Sequence, residues 1–229
     1  MIMKHWLFLI RHGQTTWNIE HRLPGQLPGI ELTDTGREQA KRLAQALKTV
    51  PLTAIISSPL ERAIETPRYL AEGRDLSIQL EPDLMDIELG RWTGQNRDEL
   101  TKHDPVWQAF LRNPLTGPEG VETFSDVEQR AVAAVERWLH KESTSAYPAF
   151  VTHSDVIKLL IAHYQGLEAR LARRLMIENA SVSVIELQTD HRPRIHAVSW
   201  TPQPFWLQLS TYSPEEPKSE EQVDGEQYG

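Results

Sequence analysis

The sequence contains no cysteine among its 229 residues. Disulfide bonds, thiolate nucleophiles and zinc sites built on thiolates are therefore excluded. A chain without cysteine suits a reducing compartment, and no stretch approaches the roughly 20 apolar residues that a membrane-spanning helix requires. The apolar run at residues 6–10 is shorter than the apolar region of a secretory signal, about 7–15 residues. We therefore expect a cytoplasmic protein with no membrane partner.

Positive charge is also scarce. The chain has 24 lysine and arginine residues against 32 aspartate and glutamate residues, and its formal net charge is −8. Nucleic acids bind basic surfaces, so no nucleic-acid partner is expected. Beyond residue 200, six acidic residues and one lysine leave a charge of −5. That segment is rich in Pro, Glu, Ser and Gln, which predicts a single domain over 1–200 and a mobile acidic tail over 201–229.

Alternating strand and helix patterns indicate an α/β fold. Short apolar runs predict strands at 6–10, 54–57, 77–80, 149–153, 181–187 and 194–200. Apolar periodicity predicts helices from 33 or 35 to 50, from 59 towards 71, over 122–141 and after 153. Thr35 and Glu38 have the spacing of a capping box, and Pro67 predicts a kink or an early stop in the second helix. The last two strands have a short link, which predicts an antiparallel pair in a mainly parallel sheet.

Three segments of the chain carry candidate chemistry. The first strand runs into Arg11-His12-Gly13, His153 follows a later strand, and Arg62 lies one turn into a helix. The carboxyl ends of strands are where open α/β sheets bind ligands, and Gly13 is expected where the backbone turns or a ligand comes close. Two imidazoles and two guanidiniums can share a site when an anion joins them or when the imidazoles stay neutral. A phosphoryl group fits, since each guanidinium can hold two of its oxygens.

These motifs resemble those of the histidine phosphatase superfamily, in its phosphoglycerate-mutase-like branch. Residues 9–18, 32–40, 57–66, 90–94 and 151–154 carry the resemblance, in the family's order, over about residues 6–200. The resemblance agrees with a three-layer α/β/α sandwich that has one antiparallel edge strand. An imidazole flanked by arginines stays neutral and nucleophilic, so His12 is the expected nucleophile that carries a phosphohistidine. Arg11, Arg62 and His153 are expected to hold the equatorial oxygens, with no metal and no cofactor.

A carboxylic acid must protonate the leaving alcohol, and the candidates are Asp86 and Glu88. The family commonly carries a glutamate four residues before the glycine that Gly90 matches, and Asp86 holds that position here. The shorter side chain is a departure from the family pattern. In extended backbone positions 86 and 88 share a face, so Glu88 stays open as the alternative, although Asp86 is favoured.

Further phosphate or substrate contacts are predicted at Asn18, Arg22, Gln26 and Glu88. Asn18 matches a polar position near the family's phosphate pocket, and a turn-capping role is an equal alternative. Arg22 and Gln26 lie in the Pro- and Gly-rich loop after the first motif. Glu122 resembles part of the family's Gly-Glu-Ser region and is interpreted as a carboxylate favoured by a helix N-terminus.

The expected activity is hydrolysis of a small-molecule phosphate monoester. Between Arg62 and His153 there are 90 residues without an obvious large insertion, which favours an open phosphatase pocket over the longer lids of cofactor-dependent mutases. A phosphoglycerate-type phosphomutase is the first alternative. A catalytically idle module that binds a phosphorylated ligand or a partner protein is the second. The sequence leaves the substrate and the oligomeric state open, a dimer included.

Overall fold

The computed structural model describes residues 4–141, 144 and 146–204. The predicted mobile tail falls outside the described residues from position 205 onward. The strands are β1 (Lys4–Arg11), β2 (Ala54–Ser57), β3 (Ile78–Leu80), β4 (Pro148–Thr152), β5 (Val182–Gln188) and β6 (Arg194–Trp200). The helices are α1 (Thr16–Ile19), α2 (Asp34–Ala46), α3 (Glu61–Ala71), α4 (Arg97–His103), α5 (Pro105–Arg112), α6 (Phe124–Leu139) and α7 (Ser154–Tyr164). Three short 3₁₀ turns cover Pro82–Leu84, Gly90–Trp92 and Ala169–Arg174.

The six strands form one sheet in the order β3-β2-β4-β1-β5-β6. The β3–β2, β2–β4 and β4–β1 pairs are parallel, whereas β5 is antiparallel to both β1 and β6. The mainly parallel sheet is confirmed, with its antiparallel pairings at one edge. The reversed strand is β5, and β6 lies outside it.

Helices cover both faces of the sheet, which confirms the three-layer sandwich. Successive side chains of β1 point to opposite faces, and all four central residues are buried in two separate clusters. Leu7 and Leu9 pack with α6 and α7, whereas Phe8 and Ile10 pack with α2 and α3. This two-sided burial explains why β1 reads as a continuous apolar run without polar alternation. No helix within the described residues is long and apolar enough to cross a membrane.

Helix α2 begins two residues earlier than a cap at Thr35 requires, at the other predicted start, Thr33. Thr33 is the N-cap residue, and its side chain accepts a hydrogen bond from the backbone of Gly36 at 3.0 Å. The backbone N–H of Thr33 in turn donates to Gln14 at 2.9 Å. The predicted capping box at Thr35 and Glu38 is therefore wrong, because the chain is already anchored at Thr33 by the segment that follows β1.

Helix α3 does not end early at Pro67; it continues to Ala71. Proline cannot donate the backbone hydrogen bond that the carbonyl of Ala63, four residues before it, would normally accept. The hydroxyl of Ser57 lies 3.1 Å from that carbonyl and 3.0 Å from the carbonyl of Ser58, and it can donate its one proton to either. Strand β2 thus places a donor beside the carbonyl that Pro67 leaves without its usual partner.

Candidate active site

The parallel pairing of β1 with β4 brings the two strand-end histidines together. Arg11 pairs with Thr152 in the register of the two strands, and the backbone N–H of His12 donates to the carbonyl of Thr152 at 3.1 Å. The next residue on each strand is a histidine, and the ring centroids of His12 and His153 are 5.2 Å apart. Both rings are buried. The expected meeting of the two motifs is therefore observed at the carboxyl end of the sheet.

His12 has a defined tautomer. Its Nδ1 lies 2.7 Å from the carbonyl oxygen of Gly13, and a carbonyl can only accept, so Nδ1 carries the proton. The lone pair of the neutral ring is then on Nε2. Burial and the positive charges of Arg11 and Arg62 hold the pKa of His12 well below its ordinary value. The ring is therefore neutral at neutral pH, with Nε2 available as a nucleophile.

His12, His153, Arg11 and Arg62 are here called the cluster. Each of its two arginines has one buried N–H donor, on Nε, that makes no hydrogen bond within the described residues. Arg62 is fully buried, and its Nη2 donates to the carbonyl of Gly25 at 2.8 Å. Arg11 donates from Nη1 to the carbonyl of Ile177 at 2.6 Å. Among the described residues, neither Arg11 Nε nor Arg62 Nε has a hydrogen-bond partner. A buried donor without a partner costs about 1–3 kcal/mol, so these donors favour an anionic acceptor.

His153 precedes α7 as its N-cap residue. Its Nε2 lies 2.9 Å from Oγ of Ser58, and Ser58 follows directly after β2. Its Nδ1 is buried and has no hydrogen-bond partner in the described part of the chain. Burial, followed by the charge of Arg62, holds the pKa of His153 well below its ordinary value. His153 thus presents a second neutral imidazole beside His12.

The structure separates the two candidate acids. Oδ2 of Asp86 lies 3.4 Å from Arg62 Nη2 and 3.6 Å from His153 Nδ1. Burial raises the pKa of Asp86, although the charge of Arg62 opposes that shift. Glu88 instead accepts hydrogen bonds from the backbone of Gly90 at 2.9 Å and from Thr93 Oγ1 at 3.5 Å. Asp86 is therefore part of the cluster, whereas the contacts of Glu88 lie outside it.

A comparison with protein families agrees with this geometry. The family model described as Histidine phosphatase superfamily (branch 1) matches residues 7–201. The chain belongs to the histidine phosphatase superfamily. This confirms the resemblance found in the motifs, and the matched range includes every residue of the cluster.

One named protein and two solved structures illustrate what the chain is similar to. The probable phosphoglycerate mutase GpmB of Enterobacter sp. (strain 638) is 33% identical over 185 residues, which cover 80% of this chain and 85% of that protein. The structure of a mycobacterial glucosyl-3-phosphoglycerate phosphatase in complex with VO3 has a TM-score of 0.78 and 27% identity, covering 86% of this chain and 100% of that one. An alpha-ribazole phosphatase from Shigella flexneri has a TM-score of 0.75 and 26% identity, covering 85% of this chain and 96% of that one.

The other predicted contact residues lie in different places. Asn18 completes the capping box of α1 with the N-cap residue Thr15, whose backbone N–H donates to Asn18 Oδ1 at 2.9 Å. The same Oδ1 also accepts from Asn179 Nδ2 at 3.1 Å. The guanidinium of Arg22 stacks over the ring of Trp17, 4.3 Å from its centroid. Gln26 donates from Nε2 to the backbone carbonyl of Asp86 at 2.9 Å. Of the three residues 18, 22 and 26, only Gln26 contacts the cluster by these bonds.

Four residues that sequence reasoning did not single out hold the cluster in place. Thr66 accepts from the backbone of Gly13 at 3.0 Å, and Asn179 donates to the carbonyl of His12 at 3.2 Å. Ser58 contacts His153, as described above, and Arg130 donates to the carbonyl of Asp86 at 2.9 Å. Ser58 and Thr66 lie within the family motif at 57–66. Asn179 and Arg130 carry no local sequence signal, because their partners are distant along the chain.

A groove of about 860 Å³ opens beside Arg11. Amide side chains line it, among them Gln14, Gln39 and Asn179, and so do the carboxylates of Asp34 and Glu178. Of the cluster, only Arg11 is among its lining residues. The groove is large enough for a small metabolite. Within the described ranges, no three His, Asp or Glu side chains are grouped so as to hold a metal ion.

Gly13 is required for a close contact between two backbone segments. A Cβ atom on Gly13 would lie 2.4 Å from the carbonyl oxygen of Gly36, and a Cβ on Gly36 would lie 2.1 Å from the carbonyl oxygen of Gln14. Gly13 has no positive φ angle. The missing side chain of Gly13 lets the first turn of α2 approach the backbone of the motif, and the expected close approach of a ligand stays a prediction.

We expect Gly36→Ala to lower the free energy of unfolding by about 1–3 kcal/mol, the usual range for overpacking. The added methyl group would meet backbone atoms, which cannot rotate away, so α2 must move off the His12 segment. Urea unfolding monitored by circular dichroism measures the change. Gly117→Ala is the matched control, because a Cβ at Gly117 meets nothing closer than 3.4 Å. Equal stability of the two variants would contradict this account of the glycine pair.

Proposed function

We propose that this protein hydrolyses phosphate monoesters of small metabolites through a phosphohistidine at His12. The observation that carries the proposal is a neutral imidazole, with its lone pair on Nε2, beside three buried nitrogens that lack partners in the described structure. Two are the N–H donors Arg11 Nε and Arg62 Nε, and the third is His153 Nδ1, which donates in the tautomer in which Ser58 donates to Nε2. A phosphoryl group offers oxygens to these donors and phosphorus to the imidazole of His12.

The reaction would proceed in two steps. In the first, His12 Nε2 attacks phosphorus, the bond from phosphorus to the ester oxygen breaks, and the leaving alcohol takes the proton of Asp86. In the second, water attacks phosphorus, gives a proton to Asp86, and the phosphorus–nitrogen bond breaks to release inorganic phosphate. Arg11, Arg62 and His153 would stabilise the charge on the equatorial oxygens in both steps. The arginines would thereby supply the charge stabilisation that Mg²⁺ supplies in other phosphoryl transfer enzymes.

The raised pKa of Asp86 supports its role as the acid. A carboxyl group whose pKa is raised keeps its proton to higher pH than an ordinary aspartic acid, and it can donate that proton near the working pH. Its Oδ2 is within 3.6 Å of both His153 and Arg62. Glu88 offers no comparable position, since its carboxylate is held by Gly90 and Thr93.

A phosphomutase is the second candidate, and it is favoured by the relative named as a probable phosphoglycerate mutase. The same cluster would move phosphate within a substrate if the dephosphorylated product returned to phosphohistidine faster than water reached it. The two similar structures named as phosphatases, for glucosyl-3-phosphoglycerate and for alpha-ribazole phosphate, favour hydrolysis. All three names point to the phosphate ester of a small metabolite as the substrate class.

The deciding experiment measures inorganic phosphate released from a panel of monoesters in the presence of excess EDTA. The panel contains sugar phosphates, phosphoglycerates, nucleotide-type phosphates and para-nitrophenyl phosphate. We expect release that EDTA does not reduce, because the charge stabilisation comes from arginine. Loss of release with EDTA, restored by added metal, would contradict the proposed mechanism. Release of no phosphate would overturn the hydrolase, and phosphate exchange between carbon positions of phosphoglycerate, primed by bisphosphoglycerate, would then establish the mutase.

A further inference from the structure

The segment that carries Asp86 is held by its backbone carbonyl groups. Arg130 donates from Nη1 to the carbonyls of Asp83 and Met85, both at 2.8 Å, and from Nη2 to the carbonyl of Asp86 at 2.9 Å. The carbonyl of Leu84 accepts from Thr152 Oγ1 at 2.6 Å. Four successive carbonyls, at residues 83–86, therefore accept hydrogen bonds from side chains. Such complete pairing is unusual for an irregular segment, whose carbonyls commonly face water.

Arg130 is itself fixed by a carboxylate. Its Nε donates to Glu122 Oε1 at 2.7 Å, and its Nη2 donates to Glu122 Oε2 at 2.8 Å. All five N–H donors of the guanidinium are thereby used. A lysine, with three donors on one nitrogen, cannot reproduce this pattern. Glu122, predicted as a carboxylate at a helix N-terminus, directly precedes Thr123, the N-cap residue of α6, and its carboxylate forms this bidentate pair.

Two further bonds complete the arrangement around Asp86. Glu122 Oε2 also accepts from the backbone N–H of Glu88 at 2.8 Å. Gln26 donates to the carbonyl of Asp86 at 2.9 Å and lies 3.5 Å from Glu122 Oε2. Arg130, Glu122 and Gln26, here called the Arg130 clamp, thus hold the backbone at Asp86 and two residues after it.

We infer that the Arg130 clamp positions Asp86 for proton transfer, which makes Arg130 a positioning residue for the reaction. An aspartate is one methylene shorter than the glutamate common in this family, so it has less reach to correct a displaced backbone. The clamp places the Cα of residue 86 where the short carboxyl group reaches Arg62 and His153 at 3.4 and 3.6 Å. This inference rests on the proposed function, in which Asp86 is the acid.

The test compares two substrates whose leaving groups differ in their need for a proton. Para-nitrophenolate leaves without one, whereas the alcohol of an alkyl phosphate needs the acid. In Arg130→Met we expect kcat/KM for the best alkyl phosphate of the panel, which reports the first step alone, to fall about 10-fold or more beyond any fall for para-nitrophenyl phosphate. Small misplacements of a catalytic group have effects of this size. The affinity for inorganic phosphate is expected to change less than about 3-fold, because Arg130 touches no phosphate-binding donor.

Arg137→Met is the matched control. Arg137 lies two turns further along α6 and pairs with Glu81 at 3.1 Å and Asp83 at 2.7 Å, but it is half exposed and touches no carbonyl of residues 83–86 in the described contacts. The ratio of its kcat/KM for the alkyl phosphate to its kcat/KM for para-nitrophenyl phosphate is expected to equal that of the wild type. An unchanged ratio in folded Arg130→Met, or the same change in Arg137→Met, would overturn the inference.

If Arg130→Met does not fold, Glu122→Gln provides the same test. The amide keeps the shape of the carboxylate but removes the charge that fixes Arg130, so the ratio is expected to fall in the same direction. Failure of this inference is distinguishable from failure of the proposed function: in the first case His12→Ala is inactive while the ratio in the clamp variants stays at the wild-type value. In the second case, wild-type protein releases no phosphate from either substrate.

Discussion

His12→Ala is expected to lower kcat for release of phosphate by about 10⁴-fold or more, because removal of a covalent nucleophile leaves no comparable path to the product. The buried arginines and His153 remain in the variant, so it is expected to keep affinity for inorganic phosphate or vanadate. The measurement is steady-state phosphate release from the best panel substrate, together with a binding titration of the anion. Loss of turnover with retained binding separates a chemical role for His12 from a structural one.

The control for this variant is His103→Ala, which removes an exposed histidine that pairs with Glu99 on α4. It is expected to match the wild type in turnover and in melting temperature. Wild-type enzyme quenched during turnover should carry phosphate that is labile in acid and stable in base, as a phosphorus–nitrogen bond is. Normal turnover in His12→Ala, or protein-bound phosphate that survives acid, would show that another group is the nucleophile.

Asp86→Asn is expected to have the second largest effect, and the effect should depend on the leaving group. With an alkyl phosphate, kcat is expected to fall by about 10²–10⁴-fold, the usual contribution of a general acid. With para-nitrophenyl phosphate the first step needs no acid, whereas the second still lacks a base for water. The variant should therefore release a rapid burst of nitrophenolate, about one equivalent per active site, before slow turnover. Stopped-flow absorbance measures that burst.

Glu88→Gln is the matched control for Asp86→Asn, since both changes replace a carboxyl group by an amide in the same segment. Its turnover is expected to stay within about 3-fold of the wild type, because its carboxylate contacts Gly90 and Thr93 rather than the cluster. A severe loss in Glu88→Gln with little loss in Asp86→Asn would reverse the assignment of the acid.

The same pair of variants has a second readout in the pH profile of kcat/KM. The first step needs Asp86 protonated and His12 neutral. Burial raises the pKa of Asp86, and activity is lost as pH rises through that raised value. Burial and the arginines lower the pKa of His12, so its neutral form persists to lower pH than that of an ordinary histidine. The alkaline fall is expected in the wild type and in Glu88→Gln, and it should be absent from Asp86→Asn.

Much of the candidate site could be predicted from the sequence because its residues follow strands or begin a helix. Arg11 ends β1, His12 and His153 come directly after β1 and β4, and parallel strands in one sheet place their carboxyl ends at the same edge. Arg62 lies on the first turn of the helix that follows β2, the other neighbour of β4. Local pattern and the rules for parallel sheets were sufficient to bring these four residues together.

The local sequence pattern could not decide whether Asp86 or Glu88 is the acid. Both candidates lie in a segment without regular secondary structure, and their orientation depends on Arg130, 44 residues further along the chain from Asp86. The side chain of Arg22 shows the same limit, since it stacks on Trp17 and bonds to Gly94 rather than facing the cluster. Periodicity has no information on such contacts, because irregular backbone has no repeating geometry.

The sequence by itself determined the order of the six strands, the two-sided burial of β1 and the two imidazoles and two guanidiniums gathered at one edge of the sheet. These follow from short-range periodicity and from the direction of parallel strands. Only the tertiary structure decided the approach of Gly36 to Gly13, the hydroxyl that Ser57 places beside the carbonyl of Ala63, and the carboxyl group that enters the cluster. Each of these depends on a hydrogen bond or close contact between different segments, and such contacts exist only once the chain has packed.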